Sequence, residues 1–339
     1  MKEYSGNMVT IMSCSDCNVK CKHCYISYKG NFDEKSLFDL VKILSKKYTI
    51  RINGSEPLIH SGYLKSYKRA KQHGPLTNGL IFKNNYGYLD EIKKYGMSEL
   101  YISYHFDWHD SISKVDKKYL INLFSEIKKR KLNFVIMCSI TSKNYNKILD
   151  YCNEAFNFGA SGIKFTNFLQ QGNATNLNKN LILSKKQKAM FFKLLNIARE
   201  SYNEKVFFIR RCGSFGPDKN NVDKFNCIAG INNICITPDL NVYPCVFLAK
   251  PGNEIGRVID NKIMIYDWFT NDGNRCLADE VCNHNYKLEN LIKIKKRRLI
   301  NAVLFSLKIG ATGQIRTADL SLRRRSLYPA ELRPQKWNF

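Results

Sequence analysis

No apolar run in this sequence is long enough to cross a bilayer. The first, Met8 to Met12, is too short for a signal peptide and lacks the flanks of one. The longest late run, Leu299 to Ile309, is broken by Asn301, Ser306 and Lys308. A cytoplasmic protein with no membrane partner is therefore expected. Negative charge is also scarce: 29 Asp and Glu face 54 Lys and Arg, a formal net charge of +25. Such an excess admits a nucleic-acid partner. From Lys287 onward, however, thirteen Lys and Arg stand against three Asp and Glu, which is +10 of that +25. The remaining +15 is spread over Lys residues scattered among Asn, Ile and Tyr rather than clustered. No RNA-binding appendage is recognisable, so nucleic acid is not the favoured partner. The hydrophobic content of 44% over 339 residues suffices for a sizeable core.

What the sequence does hold is cysteine. There are 12, in two groups, near the start and after residue 211, with Cys138 and Cys152 alone between them. A reducing compartment argues against a disulfide framework and for metal or redox duty. Cys138 and Cys152 read as small buried apolar residues. Cys17, Cys21 and Cys24 fall within eight residues, CNVKCKHC. Three thiolates from one tight loop can hold three corners of a soft metal centre. Zinc wants a fourth ligand, and this spacing has no nearby CxxC partner. His23 adjoins Cys24, which makes closure around zinc awkward. A 4Fe–4S cube held by three thiolates instead leaves one iron open to a substrate or cofactor. A zinc-bound, non-enzymatic module remains the alternative.

Residues 310–335 show no clear helical or strand period. Ile315-Arg316-Thr317 can be encoded by codons whose complement holds a transfer-RNA T-arm sequence. Tyr328 to Leu332 can be encoded by codons whose complement holds a D arm. Two such matches in the right order lead us to expect that 291–339 is a non-native basic read-through into a neighbouring gene. Its charge is therefore set aside. A nucleotide sequence with no transfer-RNA gene on the opposite strand would remove the idea.

Between these ends the sequence alternates. MVTIM, TIRIN, the stretch around GPLTNGLIF, SELYISYHF, NFVIMCSIT and SGIKFTNF read as strands. Helical spacing falls between them, with Leu37, Leu40, Val41 and Leu44 on one face behind an Asp33 cap. Further helices are expected near 61–72 and 88–95. Leu120, Leu123, Phe124 and Ile127 mark one face of another, and a last one falls in YNKILDYCNEAFNF. Six strand–helix units predict an α/β fold, a partial (β/α)6 TIM-type barrel, over residues 1–176. Its ligands should lie at the carboxyl ends of the strands. The cysteines follow the first strand and Gly54-Ser55-Glu56 the second, so topology brings them together. A connecting helix and strand are expected over 177–222. A small cysteine-rich extension over 223–290, set among Gly, Asn, Asp and Pro, should be irregular.

These motifs resemble those of the radical S-adenosylmethionine (SAM) superfamily. CNVKCKHCY at 17–25 matches its CxxxCxφC motif, with His23 at φ, and NGSEP at 53–57 resembles GGEP, departing at Ser55. TNG at 77–79 and Ser103 in ISYHF are weaker echoes. The resemblance implies that Cys17, Cys21 and Cys24 ligate a 4Fe–4S cluster whose open iron binds SAM. His23 would lie against the adenine, Gly54 to Glu56 would bind the methionyl ammonium, and Ser103 would contact the ribose. Reductive cleavage of SAM to a 5′-deoxyadenosyl radical, which abstracts hydrogen from the substrate, is the implied activity. CIAGINNICITPDLNVYPC at 227–245 resembles the start of a SPASM or twitch extension, departing at Leu240 where Gly is usual. Of the downstream cysteine run only the spacing of Cys276 and Cys282 is present, with Tyr286 where another would stand. One auxiliary 4Fe–4S cluster held by Cys227, Cys245, Cys276 and Cys282 is implied, and Cys212 or Cys235 could replace a ligand. Relatives of this kind imply a peptide-modifying oxidoreductase acting on a ribosomally made peptide or a small molecule. They also imply an electron donor such as flavodoxin or ferredoxin. A tRNA-modifying radical SAM enzyme is the alternative within the superfamily.

Overall fold

The computed structural model describes residues 1–70, 74–177, 179–203, 205–209, 227–271 and 288. Cys212, Cys276, Cys282, Tyr286 and the tail 291–339 lie outside the described residues. The strands are β1 (Lys2–Glu3), β2 (Met8–Met12), β3 (Thr49–Asn53), β4 (Leu76–Thr77), β5 (Glu99–Ser103) and β6 (Asn133–Ile140). They continue with β7 (Gly162–Asn167), β8 (Val206–Ile209), β9 (Asn233–Ile236), β10 (Asn241–Tyr243), β11 (Gly256–Ile259) and β12 (Lys262–Ile265). The helices are α1 (Glu34–Leu44), α2 (Tyr63–Tyr67), α3 (Tyr88–Lys94), α4 (His109–Ile112), α5 (Lys117–Lys129), α6 (Ile148–Asn157) and α7 (Lys185–Ser201). None is long and apolar enough to cross a membrane among the described residues.

Local chemistry sets the helix starts. Asp33 accepts from Ser36 N–H at 2.9 Å and opens α1, and Asp116 accepts from Tyr119 N–H at 2.7 Å and opens α5. Ser184 and Gln187 form a reciprocal capping box at α7. The expected apolar faces are the buried ones: Leu37, Leu40, Val41 and Leu44 on α1, and Leu120, Leu123, Phe124 and Ile127 on α5. The helix expected over 61–72 is shorter, Tyr63–Tyr67, and the strand expected around GPLTNGLIF is only Leu76–Thr77. Gly79, at φ +81°, turns the chain out of that strand into a short 3-10 segment.

The fold is α/β with parallel strands. β2 pairs with β3 in parallel, and β4-β5-β6-β7-β8 form a five-stranded parallel sheet. β3 and β4 belong to different sheets, so the barrel is partial and not closed. The helix-facing side is apolar: Leu100, Ile102, Phe134, Ile136, Cys138, Ile163 and Phe165 are fully buried. The alternate positions on β5, β6 and β7 carry Tyr101, Ser103, Ser139, Lys164 and Thr166. Lys164 Nζ lies over the Tyr101 ring at 4.1 Å, and the Ser139 and Thr166 hydroxyls meet at 3.5 Å. A closed barrel packs this side with branched apolar residues; here Val135 and Met137 share it with these polar side chains and Tyr101.

Two features differ from the sequence expectation. The helix and strand expected over 177–222 are α7 and β8, but β8 pairs in parallel with β7 and so extends the parallel sheet. The extension is also not irregular over 233–265. There β9, β10, β11 and β12 form an antiparallel meander, and β9 docks in parallel against β2. The four strands are three or four residues each, too short to show a period between their Gly, Asn and Asp turns. β1 pairs with β12, so the first residues close the far edge of the same sheet. Leu240 sits at φ +62° in the turn before β10, so the turn keeps its left-handed shape without the usual Gly.

Candidate active site

The cysteine loop leaves the carboxyl end of β2 and is held from the carboxyl ends of four other strands. After β3, Ser55 N–H donates to Cys14 O at 2.9 Å and Glu56 N–H to Asp16 O at 3.2 Å. After β4, Asn78 Nδ2 donates to Asn18 Oδ1 at 2.8 Å and to Cys17 Sγ at 3.5 Å. After β5, at the end of α4, Ile112 O accepts from Lys22 N–H at 2.9 Å and from His23 Nδ1 at 3.4 Å. After β7, Gln171 Nε2 donates to Tyr25 O at 3.3 Å and Asn173 Nδ2 to Cys21 O at 3.1 Å. Gly172, at φ +57°, makes this last clasp possible. A Cβ there would lie 2.6 Å from Ile26 O and 2.7 Å from Cys24 O.

Cys17, Cys21 and Cys24 are partly buried free thiols. Burial pushes Cys17 up to about 11 and raises Cys24, and neighbouring thiols of the loop add to both shifts. A bound cation reverses that preference, because a coordinating thiol is deprotonated. Among the described residues no three Cys, His, Asp or Glu side chains converge tightly enough to enclose a single ion. Thiolates around zinc would stand about 3.8 Å apart, from a Zn–S bond of about 2.3 Å. A cube held by one thiolate per iron corner spaces its ligands more widely. Among the described residues the donor set, three thiols of one loop, fits such a cluster with an open corner.

Gly54 serves packing. A Cβ there would lie 2.9 Å from both Cys14 Sγ and Ser13 Oγ. Cys14, buried behind it, carries the backbone that Ser55 grips. Sequence reasoning gave Cys14 no role, and its signal lies only in this contact. Glu56 is fully buried. Its Oε2 accepts from Asn78 N–H at 2.7 Å, and its Oε1 has no partner among the described residues. Burial pushes the Glu56 carboxyl up to about 7. A buried carboxylate oxygen left unpaired is costly unless a cation or donor meets it. That vacancy of partners suits an ammonium group. Ser103 stands half-buried at the end of β5, and its hydroxyl makes no hydrogen bond among the described residues.

Three histidines line the same end. His23 and His105 meet edge to face with centroids 4.5 Å apart, and His105 stacks on His109 at 5.5 Å. His105 Nδ1 accepts from Ser139 N–H at 3.1 Å, and His105 N–H donates to His109 Nδ1 at 3.1 Å. His109 Nε2 donates to Val115 O at 3.0 Å. Desolvation lowers all three, His23 to about 4, so all are neutral at neutral pH. Phe106, next in the chain, has φ +54°, a strained value for an aromatic residue. Its ring stacks on Tyr151 at 4.3 Å, and Asp107 is bound by Lys147 and Tyr151. Such strain, about 1–3 kcal/mol, persists only where the surroundings enforce it.

In the extension, Cys227 and Cys245 are buried. Gly230 N–H donates to Pro244 O at 3.0 Å, which ties the turn after Cys227 to the residue before Cys245. Asn271 Nδ2 donates to Cys227 O at 3.2 Å. Cys235 packs with Met12, Tyr28, Tyr243 and Ala249 in a hydrophobic cluster. Tyr25, beside Cys24, meets Phe247, beside Cys245's turn, at 4.8 Å. The extension thus packs on the cysteine loop.

Solved structures give the fold its relatives. SuiB of Streptococcus suis bound to the precursor peptide SuiA is similar at TM-score 0.57 and 13% identity, over 72% of this chain and 60% of SuiB. The same enzyme bound to S-adenosylmethionine is similar at 0.56. The structure of anSMEcpe with AdoMet and a bound peptide is similar at TM-score 0.56 and 20% identity, over 81% of this chain and 83% of that one. The chain therefore shares the fold of SuiB and anSMEcpe, both solved with S-adenosylmethionine bound. No family model and no curated protein matches the sequence.

Proposed function

We propose that this protein is a radical SAM enzyme that acts on a peptide. Cys17, Cys21 and Cys24 would hold a 4Fe–4S cluster, and Glu56 would receive the methionyl ammonium of SAM. His23 would flank the adenine, and Ser103 would meet the ribose. A bound cluster would supply the single electron for reductive cleavage of SAM, and the 5′-deoxyadenosyl radical so formed would abstract hydrogen from the substrate. The chain's own part is to bind and enclose. The clasps from β3, β4, α4 and the Gly172 turn fix the loop. The carrying observation is that loop, gripped at the carboxyl end of the parallel strands beside an orphaned buried carboxylate oxygen.

Cys227 and Cys245, with Cys276 and Cys282, would hold one auxiliary 4Fe–4S cluster. A peptide is the preferred substrate because SuiB and anSMEcpe, which share the fold, were solved with peptides bound. Anaerobic reconstitution followed by SAM and a strong reductant tests the reading. The expected result is a brown protein with about eight irons per chain, two cubes of four, that forms 5′-deoxyadenosine. Serine at Cys17, Cys21 or Cys24 should abolish that product. A colourless zinc protein, or no cleaved nucleoside, would overturn the reading. About four irons would remove the auxiliary cluster alone.

A further inference from the structure

One buried polar group at the site has no partner and no role in the account so far. His105 is 3% exposed, and its Nε2 makes no hydrogen bond among the described residues. Its tautomer is fixed by its other nitrogen. Nδ1 accepts from Ser139 N–H at 3.1 Å, so the ring proton sits on Nε2. Nε2 is therefore a donor. While the Ser139 bond holds, the neutral ring has no free lone pair and is no base.

Neighbouring contacts fix the ring. His109 stacks on it, the Nδ1 of His109 takes its backbone N–H, and the next residue is locked at positive φ by Tyr151. It also adjoins the side chains assigned above to SAM. His23, inside the cysteine motif, lies edge to face against it at 4.5 Å, and Ser103 with its unbonded hydroxyl is two residues upstream. A rigid donor with no internal acceptor is how a protein selects a ligand acceptor, because the wrong ligand leaves it unpaired.

We infer that His105 gives its Nε2–H to a ring nitrogen of the adenine of bound SAM, and so selects the base. This rests on the radical SAM reading above. The choice of acceptor follows from the parts of SAM. The sulfonium and the ammonium accept nothing, and the amino-acid end goes to Glu56 and the open cluster corner. Of the nucleoside that remains, the ribose oxygens also accept but are assigned to Ser103, and the base, assigned to His23 in contact with His105, carries three ring acceptors. His105 is thus a specificity-determining residue and does not take part in bond breaking.

The test is equilibrium binding to the reconstituted, oxidised protein without reductant, so that no turnover intervenes. The probes are SAM and its analogues with N1, N3 or N7 of adenine replaced by CH. One analogue should bind wild type about tenfold more weakly than SAM, the loss of one buried hydrogen bond. His105→Phe should bind SAM about tenfold more weakly and no longer distinguish that analogue. His105→Gln, which can keep both an acceptor for Ser139 and a donor, should retain the discrimination. The inference is overturned if wild type binds all three analogues within about twofold of SAM, or if His105→Phe still discriminates. The wild-type series decides the matter even if the Phe variant fails to fold. No SAM binding by wild type would instead bring down the underlying reading.

Discussion

Binding of SAM should release a proton below neutral pH, and Glu56 is the reason. Its carboxyl is fully buried, one oxygen is unpaired, and burial lifts it to about 7 from an ordinary 4.5. In the free protein at pH 6 the group is therefore mostly protonated. An α-ammonium, with a pKa of about 8, stays charged there and favours the carboxylate beside it. Binding must then expel the Glu56 proton. Affinity should rise with pH by a factor approaching ten per unit and level off above about pH 7.5. Between pH 5.5 and 7.5 the gain is roughly 25-fold on a folded pKa of about 7. Titration calorimetry in buffers of different ionisation enthalpy reads both affinity and proton count. Nearly one proton should leave per SAM at pH 5.5 and few at pH 8.

The same shift acts on stability with a definite sign. The folded state holds the Glu56 proton more tightly than the unfolded chain. Its contribution is complete below about pH 4.5 and is lost as pH rises through about 7. The ligand-free protein should lose up to about 3 kcal/mol over that span, from about 1.36 kcal/mol per unit. Glu56→Gln should remove both the stability slope and the proton release while abolishing tight SAM binding. Flat affinity between pH 5.5 and 7.5, or the same slope in Glu56→Gln, would refute the assignment of this carboxyl to the ammonium.

Asn78→Ala removes the donor to Cys17 Sγ at 3.5 Å. The midpoint potential of the first cluster should fall in a redox titration, since hydrogen bonds to ligand sulfur ease reduction; an unchanged or higher potential counts against the contact. Gly172→Ala puts a Cβ 2.6 Å from Ile26 O at φ +57°. It should cost about 2 kcal/mol, and thermal melting at wild-type temperature would show that the clasp yields freely. Leu240→Gly relieves φ +62° at a residue 37% exposed. A gain of about 1 kcal/mol is expected, and a lower Tm would refute strain at this turn.

The parts of the site visible in sequence are those whose chemistry is local. CNVKCKHC shows itself by spacing, and the caps at Asp33 and Asp116 by their place before an apolar period. The alternation of strands and helices put Glu56 beside the cysteines because both follow parallel strands. What stayed hidden acts across distance through groups that carry no pattern. Asn173 and Gln171 bind the loop through its backbone carbonyls, some 150 residues away in the chain, where any amide would look the same. Asn78 showed only as part of a three-residue echo, yet its backbone and side chain join Glu56 to Cys17. His105 escaped because its meaning lies in which nitrogen Ser139 occupies, and only the parallel register of β5 and β6 sets that. The two kinds of information meet at one point. On the proposed reading the motif names the atoms that would meet the cofactor, and the long-range contacts set their protonation: a neutral Nε2 donor at His105, a carboxyl raised to about 7 at Glu56. A variant that kept CNVKCKHC and Glu56 but lost Asn78, Gly172 and the Ser139 contact should therefore retain the main motif and lose the site.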